Sequence, residues 1–220
     1  MDGIRVIDIR KEILSDNEHQ AEIIRQQLAE KKIFMLNLMA SPGAGKTSLI
    51  IQTIRRLKRH LRIAVIEGDV ESTVDSEKIR AEGIPVVQIR TGGACHLDAP
   101  MISAALDGLD LDALDLIFIE NIGNLICPAE FDTGADLQVM ILSVPEGDDK
   151  ILKYPLMFSV CDVLLVTKID AQDYFDFNFE LLHRRAGELN LRLQIFEVSC
   201  RTGAGINLWC DWLMKQVRRT

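Results

Sequence analysis

The sequence has no basic excess: its 25 Lys and Arg are outnumbered by 33 Asp and Glu, giving a formal net charge of −8. A duplex binder needs a basic face that releases phosphate counterions, so the bulk charge points away from nucleic acid as a partner. No apolar run exceeds strand length, so no segment is expected to span a membrane. No apolar stretch of signal-peptide type follows Met1-Asp-Gly-Ile-Arg5, and a cytoplasmic location is expected. The cysteines number five, which is odd, and no export signal accompanies them. A disulfide framework is therefore not expected, and the thiols are left for packing or for metal. Internal repeats, low-complexity tracts and Pro/Ser-rich linkers are also missing.

What is present is an ordinary soluble composition, 48% hydrophobic and 26% charged, with enough apolar material for a sizeable core. Short runs rich in Val, Ile, Leu and Phe recur at 34–39, 62–66, 85–89, 114–120, 139–144, 163–166 and 194–198. Most are apolar throughout, as in strands covered on both faces. Helical spacing fills the gaps at 20–32, 47–57, 74–82, 98–108, 150–160, 177–189 and 205–218. This alternation predicts an α/β domain with a doubly wound, mostly parallel sheet flanked by helices. Residues 1–19 read as a polar N-terminal extension, and residues 20–220 as one domain.

Residues 40–47, Ala-Ser-Pro-Gly-Ala-Gly-Lys-Thr, follow a strand and open a helix. That is the setting of a P-loop, with Ala40 where the first glycine is usual. Gly43 and Gly45 let the backbone N–H groups around Ala44 converge on phosphate oxygens, and the helix N-terminus through Ser48 adds positive potential. Lys46 is expected on the β- and γ-phosphates, and the Thr47 hydroxyl on Mg²⁺.

Further along, strand 114–120 ends in Glu120-Asn-Ile-Gly123, which resembles the D-x-x-G of GTPases with a longer carboxylate. Glu120 is placed to hold Mg²⁺, and Gly123 to offer its N–H to the γ-phosphate. Thr167-Lys168-Ile-Asp170 resembles the guanine motif N-K-x-D. Asp170 would accept from N1–H and the exocyclic amine of guanine, and the Lys168 stem would cover the base. Thr167 in place of Asn removes one amide contact to the base or the P-loop. Ser199-Cys200-Arg201 resembles the short loop that closes over guanine O6. In loop 67–75, Asp69 and Asp75 read either as catalytic residues that orient Mg²⁺ or the attacking water, or as a solvated helix start.

Cys95 and His96 follow the third strand, and Cys127 lies four residues past Gly123. Parallel topology brings such loops to one carboxyl edge. The three side chains suit Zn²⁺ or Ni²⁺, although isolated cysteines also serve as buried hydrophobes. Cys161 and Cys210 read as core, and His19, His60 and His183 as surface.

Seven segments together resemble the hydrogenase nickel-incorporation GTPases of HypB type, P-loop GTPases of the SIMIBI class. They are SPGAGKT (41–47), EGDVEST (67–73), TGGACHLDA (91–99), ENIGNLICPAEFD (120–132), SVPEGDDKILKYP (143–155), TKID (167–170) and SCRTGAGI (199–206). The resemblance implies GTP hydrolysis coupled to nickel delivery during [NiFe]-hydrogenase maturation, with a metal site at Cys95, His96 and Cys127. It also implies a homodimer on GTP binding, a small zinc-containing nickel chaperone as partner, the hydrogenase large subunit as recipient, and Lys153 reaching a neighbouring subunit's nucleotide. No Cys-x-x-Cys motif opens the chain and no His-rich tract precedes the domain, so neither a separate N-terminal nickel site nor nickel storage is expected. Urease-maturation GTPases carry Cys-Pro-His where Ala-Cys-His stands here. The competing readings are a urease-type or other metal-trafficking GTPase, a metal buffer with weak nucleotide turnover, and an ATP-dependent enzyme on the same fold.

Overall fold

Strands that are apolar on both faces need cover on both, and helices supply it. The computed structural model describes residues 9–219. Seven strands form one sheet: β1 (Phe34–Ala40), β2 (Ile63–Asp69), β3 (Val86–Arg90), β4 (Leu116–Gly123), β5 (Leu137–Ser143), β6 (Val163–Thr167) and β7 (Gln194–Glu197). Their order is β3-β2-β4-β1-β5-β6-β7, and every neighbouring pair is parallel. The sheet is therefore wholly parallel, where the sequence promised a mostly parallel one.

Side-chain alternation sorts the helices onto two faces. Leu36 and Leu38 of β1, with Phe118 of β4, pack beneath α2 (Lys46–Leu57), α3 (Val74–Arg80) and α8 (Ile206–Val217). On the opposite face, Met35, Ile117 and Ile119 meet α1 (Ile9–Glu30) and α4 (Ala99–Leu106). Farther along that face, Met39, Met140 and Leu164 meet α5 (Lys150–Lys153), α6 (Pro155–Val160) and α7 (Phe179–Leu189). All loops that carry chemistry leave the carboxyl ends of strands, where ligands bind in open α/β sheets.

Two elements differ from the expectation. The first helix, expected over 20–32, already runs from Ile9, so the domain boundary drawn at residue 20 falls inside one helix; residues 1–8 lie outside the described residues. Its polar first half hid it, because only its later turns carry the apolar stripe of Ala21, Ile24 and Leu28. The helix expected over 150–160 breaks at Tyr154, because Pro155 has no N–H to continue it and opens α6 instead.

The early part of α1 is anchored by polar contacts. Buried Asn17 donates to the Asp132 carbonyl (2.9 Å) and accepts from Ala99 N–H (2.8 Å), joining α1 to the start of α4 and to the loop after β4. Arg25 grips the Asp132 carboxylate with both guanidinium nitrogens, at 3.1 and 2.8 Å. Asn17→Ala leaves the buried Ala99 N–H and the part-buried Asp132 carbonyl unpaired and is expected to cost about 2–4 kcal/mol. Denaturant unfolding monitored by circular dichroism checks this; a loss under ~1 kcal/mol contradicts the anchoring role.

Candidate functional site

The nucleotide end is built on the turn between β1 and α2. Gly43 and Gly45 adopt positive φ, 74° and 106°. A Cβ at Gly43 would meet nothing within 4 Å, so the requirement there is conformational and not spatial. Left-handed residues turn successive N–H groups toward one point, at the positive end of a helix with no acid in its first turn.

On one side of this turn lies a cavity of about 570 Å³, lined by Ala44, Gly45, Ser48, Thr167, Lys168, Asp170, Cys200 and Arg201. The volume suits a nucleoside. Lys168, itself at φ 59°, donates to the Gly43 carbonyl (2.7 Å), and the Thr167 hydroxyl donates to the Ala44 carbonyl (2.7 Å). Thr167 therefore ties to the P-loop after all; the contact expected to vanish with the missing Asn amide is replaced by a hydroxyl. Asp170 accepts from the Ser199 hydroxyl at 2.5 Å, which fixes one oxygen and leaves the carboxylate edge facing the cavity. Arg201 is largely exposed, 4.0 Å from Asp170. Gln52 holds the Cys200 carbonyl (3.1 Å), and burial pushes the Cys200 thiol up to about 11.

On the other side lies a hollow of about 350 Å³, lined by Pro42, Gly43, Lys46, Glu67, Asp69, Asp75, Glu120 and Gly123. The Thr47 hydroxyl donates to Glu120 Oε1 at 2.7 Å. The second oxygen, Oε2, is buried with no partner among the described residues. Burial pushes the Glu120 carboxyl up to about 7, against the pull of Thr47 and Lys46. Burial also holds the Lys46 ammonium below its ordinary value, while Glu120, Asp75, Glu146 and Glu67 work the other way. A desolvated cation beside a glycine cup binds phosphate more strongly than a solvated one. Gly123 packs so closely on the P-loop that a Cβ would lie 2.8 Å from Pro42. Asp69 accepts from Glu71 and Ser72 N–H (2.9 and 2.6 Å), shaping the turn after β2, and Asp75 pairs with Lys78 at 2.8 Å. Both line the hollow, so they have a structural task and access to the site.

The three residues expected as metal ligands converge. Cys95 Sγ lies 2.9 Å from Cys127 Sγ and 3.9 Å from His96 Nδ1, and one ligand atom from each of the three residues falls within 4.8 Å of the others. His96 stacks on Phe131 with ring centroids 3.9 Å apart, and burial lowers its pKa, favouring the neutral ligand form. The Cys95 thiol alongside, together with burial, pushes the Cys127 thiol up. Cys161 and Cys210 are buried core thiols. Lys153 stands apart: exposed on α5, it pairs with Asp149 at 2.6 Å and lines neither hollow.

Sequence reasoning missed Glu67. It sits in register with Glu120 on the neighbouring strand, is buried, accepts from the Ser76 hydroxyl (2.8 Å), and is pushed by burial up to about 7. The available signal was an acid inside an otherwise apolar strand. It also missed Asn121 and Asn124, whose amides bind the backbone of the Cys95–Leu97 turn; nothing in their spacing marks them.

Asp170 is the residue expected to carry the base preference, and it lines the cavity. Asp170→Asn is expected to weaken GTP about 10- to 100-fold, the worth of the charged hydrogen bonds it loses, and to favour xanthosine triphosphate. Competition binding with the two nucleotides reads this out; unchanged GTP affinity contradicts the assignment.

Comparison with known proteins agrees with this geometry. The family model described as CobW/HypB/UreG, nucleotide-binding domain, matches residues 34–197. The chain is 43% identical over 212 residues to the hydrogenase maturation factor HypB of Escherichia coli strain K12, spanning 96% of this chain and 73% of that protein. Its structure is similar to the crystal structure of HypB from Helicobacter pylori in complex with nickel, with TM-score 0.88 and 34% identity over 93% of this chain and 96% of that one. It is likewise similar to that of the hydrogenase maturation factor HypB from Archaeoglobus fulgidus, with TM-score 0.86 and 38% identity over 92% and 99%. With its phosphate turn, base cavity and thiol cluster on one sheet edge, this chain belongs to the CobW/HypB/UreG family of nucleotide-binding domains.

Proposed function

We propose that this chain is a GTP-hydrolysing metallochaperone that carries nickel in the maturation of a [NiFe]-hydrogenase. The observation that carries the reading is continuity. One short segment, from Glu120 through Gly123 to Cys127, links the carboxylate beside the P-loop to a thiol of the metal cluster. Its relatives' names support the biological setting: one is a hydrogenase maturation factor, and another was crystallised in complex with nickel.

Each group has a task. The Gly43–Gly45 turn and Lys46 take the phosphates, and Asp170 selects guanine. Mg²⁺ suits the Thr47–Glu120 pair, because Glu120 Oε2 is a buried acceptor in need of a hard cation. Thr47, Glu120 and Asp69 would hold the ion, which when bound neutralises charge on the β- and γ-phosphates. Asp75 and Glu67 face the same hollow and serve to orient water there. The γ-phosphate draws the Gly123 N–H toward it. That movement shifts Cys127 against Cys95 and His96 and changes how the cluster holds its cargo.

Three protein ligands fall short of a closed tetrahedral site. A second copy would supply the remainder, so a GTP-dependent homodimer sharing the metal follows. In such a dimer Lys153 exchanges Asp149 for the neighbour's nucleotide. A small zinc-containing nickel chaperone and the hydrogenase large subunit are the partners on either side of the transfer.

The test is a nickel titration of the full chain, by calorimetry, loaded with GDP or with a non-hydrolysable GTP analogue. Nickel affinity is expected to differ between the two states by at least about fivefold, the lower end of ordinary allosteric coupling. Equal affinities overturn the proposal.

A further inference from the structure

Strand β4 ends in two adjacent side chains that face opposite ways. Glu120 points to the α2 face and accepts from Thr47 (2.7 Å). Asn121 points to the α4 face, where its Oδ1 accepts from the backbone N–H of Leu97 at 3.1 Å and from its own neighbour Ile122 at 2.9 Å. Leu97 directly follows Cys95 and His96. Asn121 is fully buried, as is Asn37 of β1, to whose Oδ1 it donates at 3.1 Å; Asn37 in turn donates to Gln138 of β5 at 3.0 Å. A chain of three amides thus crosses the central strands and ends on the backbone of the metal-ligand turn. Asn124, three residues on, adds a second tie: it donates to the Cys95 carbonyl at 3.2 Å and accepts from Ile126 N–H, next to Cys127, at 3.1 Å.

Core packing alone does not call for this arrangement. An apolar residue at 121 would suit the layer of Ile117 and Ile119, and the buried amide is tolerable only because every partner is in place. What the amide adds is a directional grip on the Cys95–Leu97 turn from the same strand end that carries Glu120. Glu120 and Asn121 are consecutive residues of one strand paired with β1 and β2, so a shift of that strand end carries both side chains. A displacement of Glu120 and Gly123 toward phosphate therefore carries Asn121 and Asn124 with it, and both pull on the turn that bears Cys95 and His96.

We infer that Asn121 is a positioning residue that transmits nucleotide state to the metal-ligand turn, with Asn124 as its second link. This rests on the proposed coupling of GTP to metal and names its route. Both sides of the metal cluster then respond together: Cys127 through the chain itself, Cys95 and His96 through side-chain amides. A contact element whose equilibrium both ligands bias is what physical coupling requires.

The experiment compares Asn121→Ala, Asn121→Asp and Asn124→Ala with the parent chain. Each is titrated with Ni²⁺ in the presence of GDP and of the GTP analogue, and the readout is the ratio of the two nickel affinities. A merely structural defect lowers both affinities and leaves the ratio alone. Asn121→Ala is expected to bring the ratio to within about twofold of one. Asn121→Asp keeps the acceptor for Leu97 N–H and is expected to retain the parental ratio. Should Asn121→Ala fail to fold, the half-buried Asn124→Ala decides, with an expected drop in the ratio of at least half. Parental ratios in both alanine variants overturn this inference and leave the proposed function standing. A ratio of one in the parent chain overturns both.

Discussion

One hydrogen bond, from the Thr47 hydroxyl to Glu120, joins the helix that follows the phosphate turn to the strand that leads to the Cys95–His96–Cys127 cluster. The rest of the site is arranged around it. Glu120 is buried, its second oxygen is unpaired, and Lys46 is desolvated nearby. Such a cluster of charge is costly in a folded chain without its ligands. In the proposed function a triphosphate with its cation would relieve that cost, using groups the fold has already stripped of water. The neighbouring Glu67, equally buried and in register, sharpens the same condition.

The parallel sheet turns this local chemistry into communication. All strands deliver their carboxyl ends to one edge, so the loops after β1, β2, β3, β4 and β6 meet there without further connections. The wall of the larger cavity is held by Thr167 and Lys168, which strap to the P-loop carbonyls. The β4 end meets the phosphate turn differently, through the Thr47–Glu120 side-chain hydrogen bond and the close contact of Gly123 with Pro42. In the proposed function the base meets the strapped side, and the γ-phosphate meets the β4 side, where Gly123 is placed to respond.

Much of this was legible in the sequence because the physics there is local. Apolar runs such as 163–166 read as buried parallel strands since water reaches neither face. The P-loop is legible because positive φ demands glycine at 43 and 45. The convergence of Cys95 and Cys127 is different in kind: their approach to 2.9 Å depends on β3 and β4 both flanking β2 in the sheet, and spacing alone favoured packing over metal. Asn121 was opaque for the same reason, since its partners Leu97 and Asn37 are remote in the chain. The early turns of α1 were missed because polar contacts through Asn17, and not an apolar stripe, hold them.

The central claim is that occupying the γ-phosphate position moves the strand end that grips the metal turn. Amide hydrogen exchange by mass spectrometry, with GDP against a non-hydrolysable GTP analogue and no metal added, addresses it most directly. The account predicts that residues 120–127 gain protection with the analogue and that residues 95–97 change with them. A change confined to the P-loop, with both of those segments exchanging identically in the two states, would contradict it.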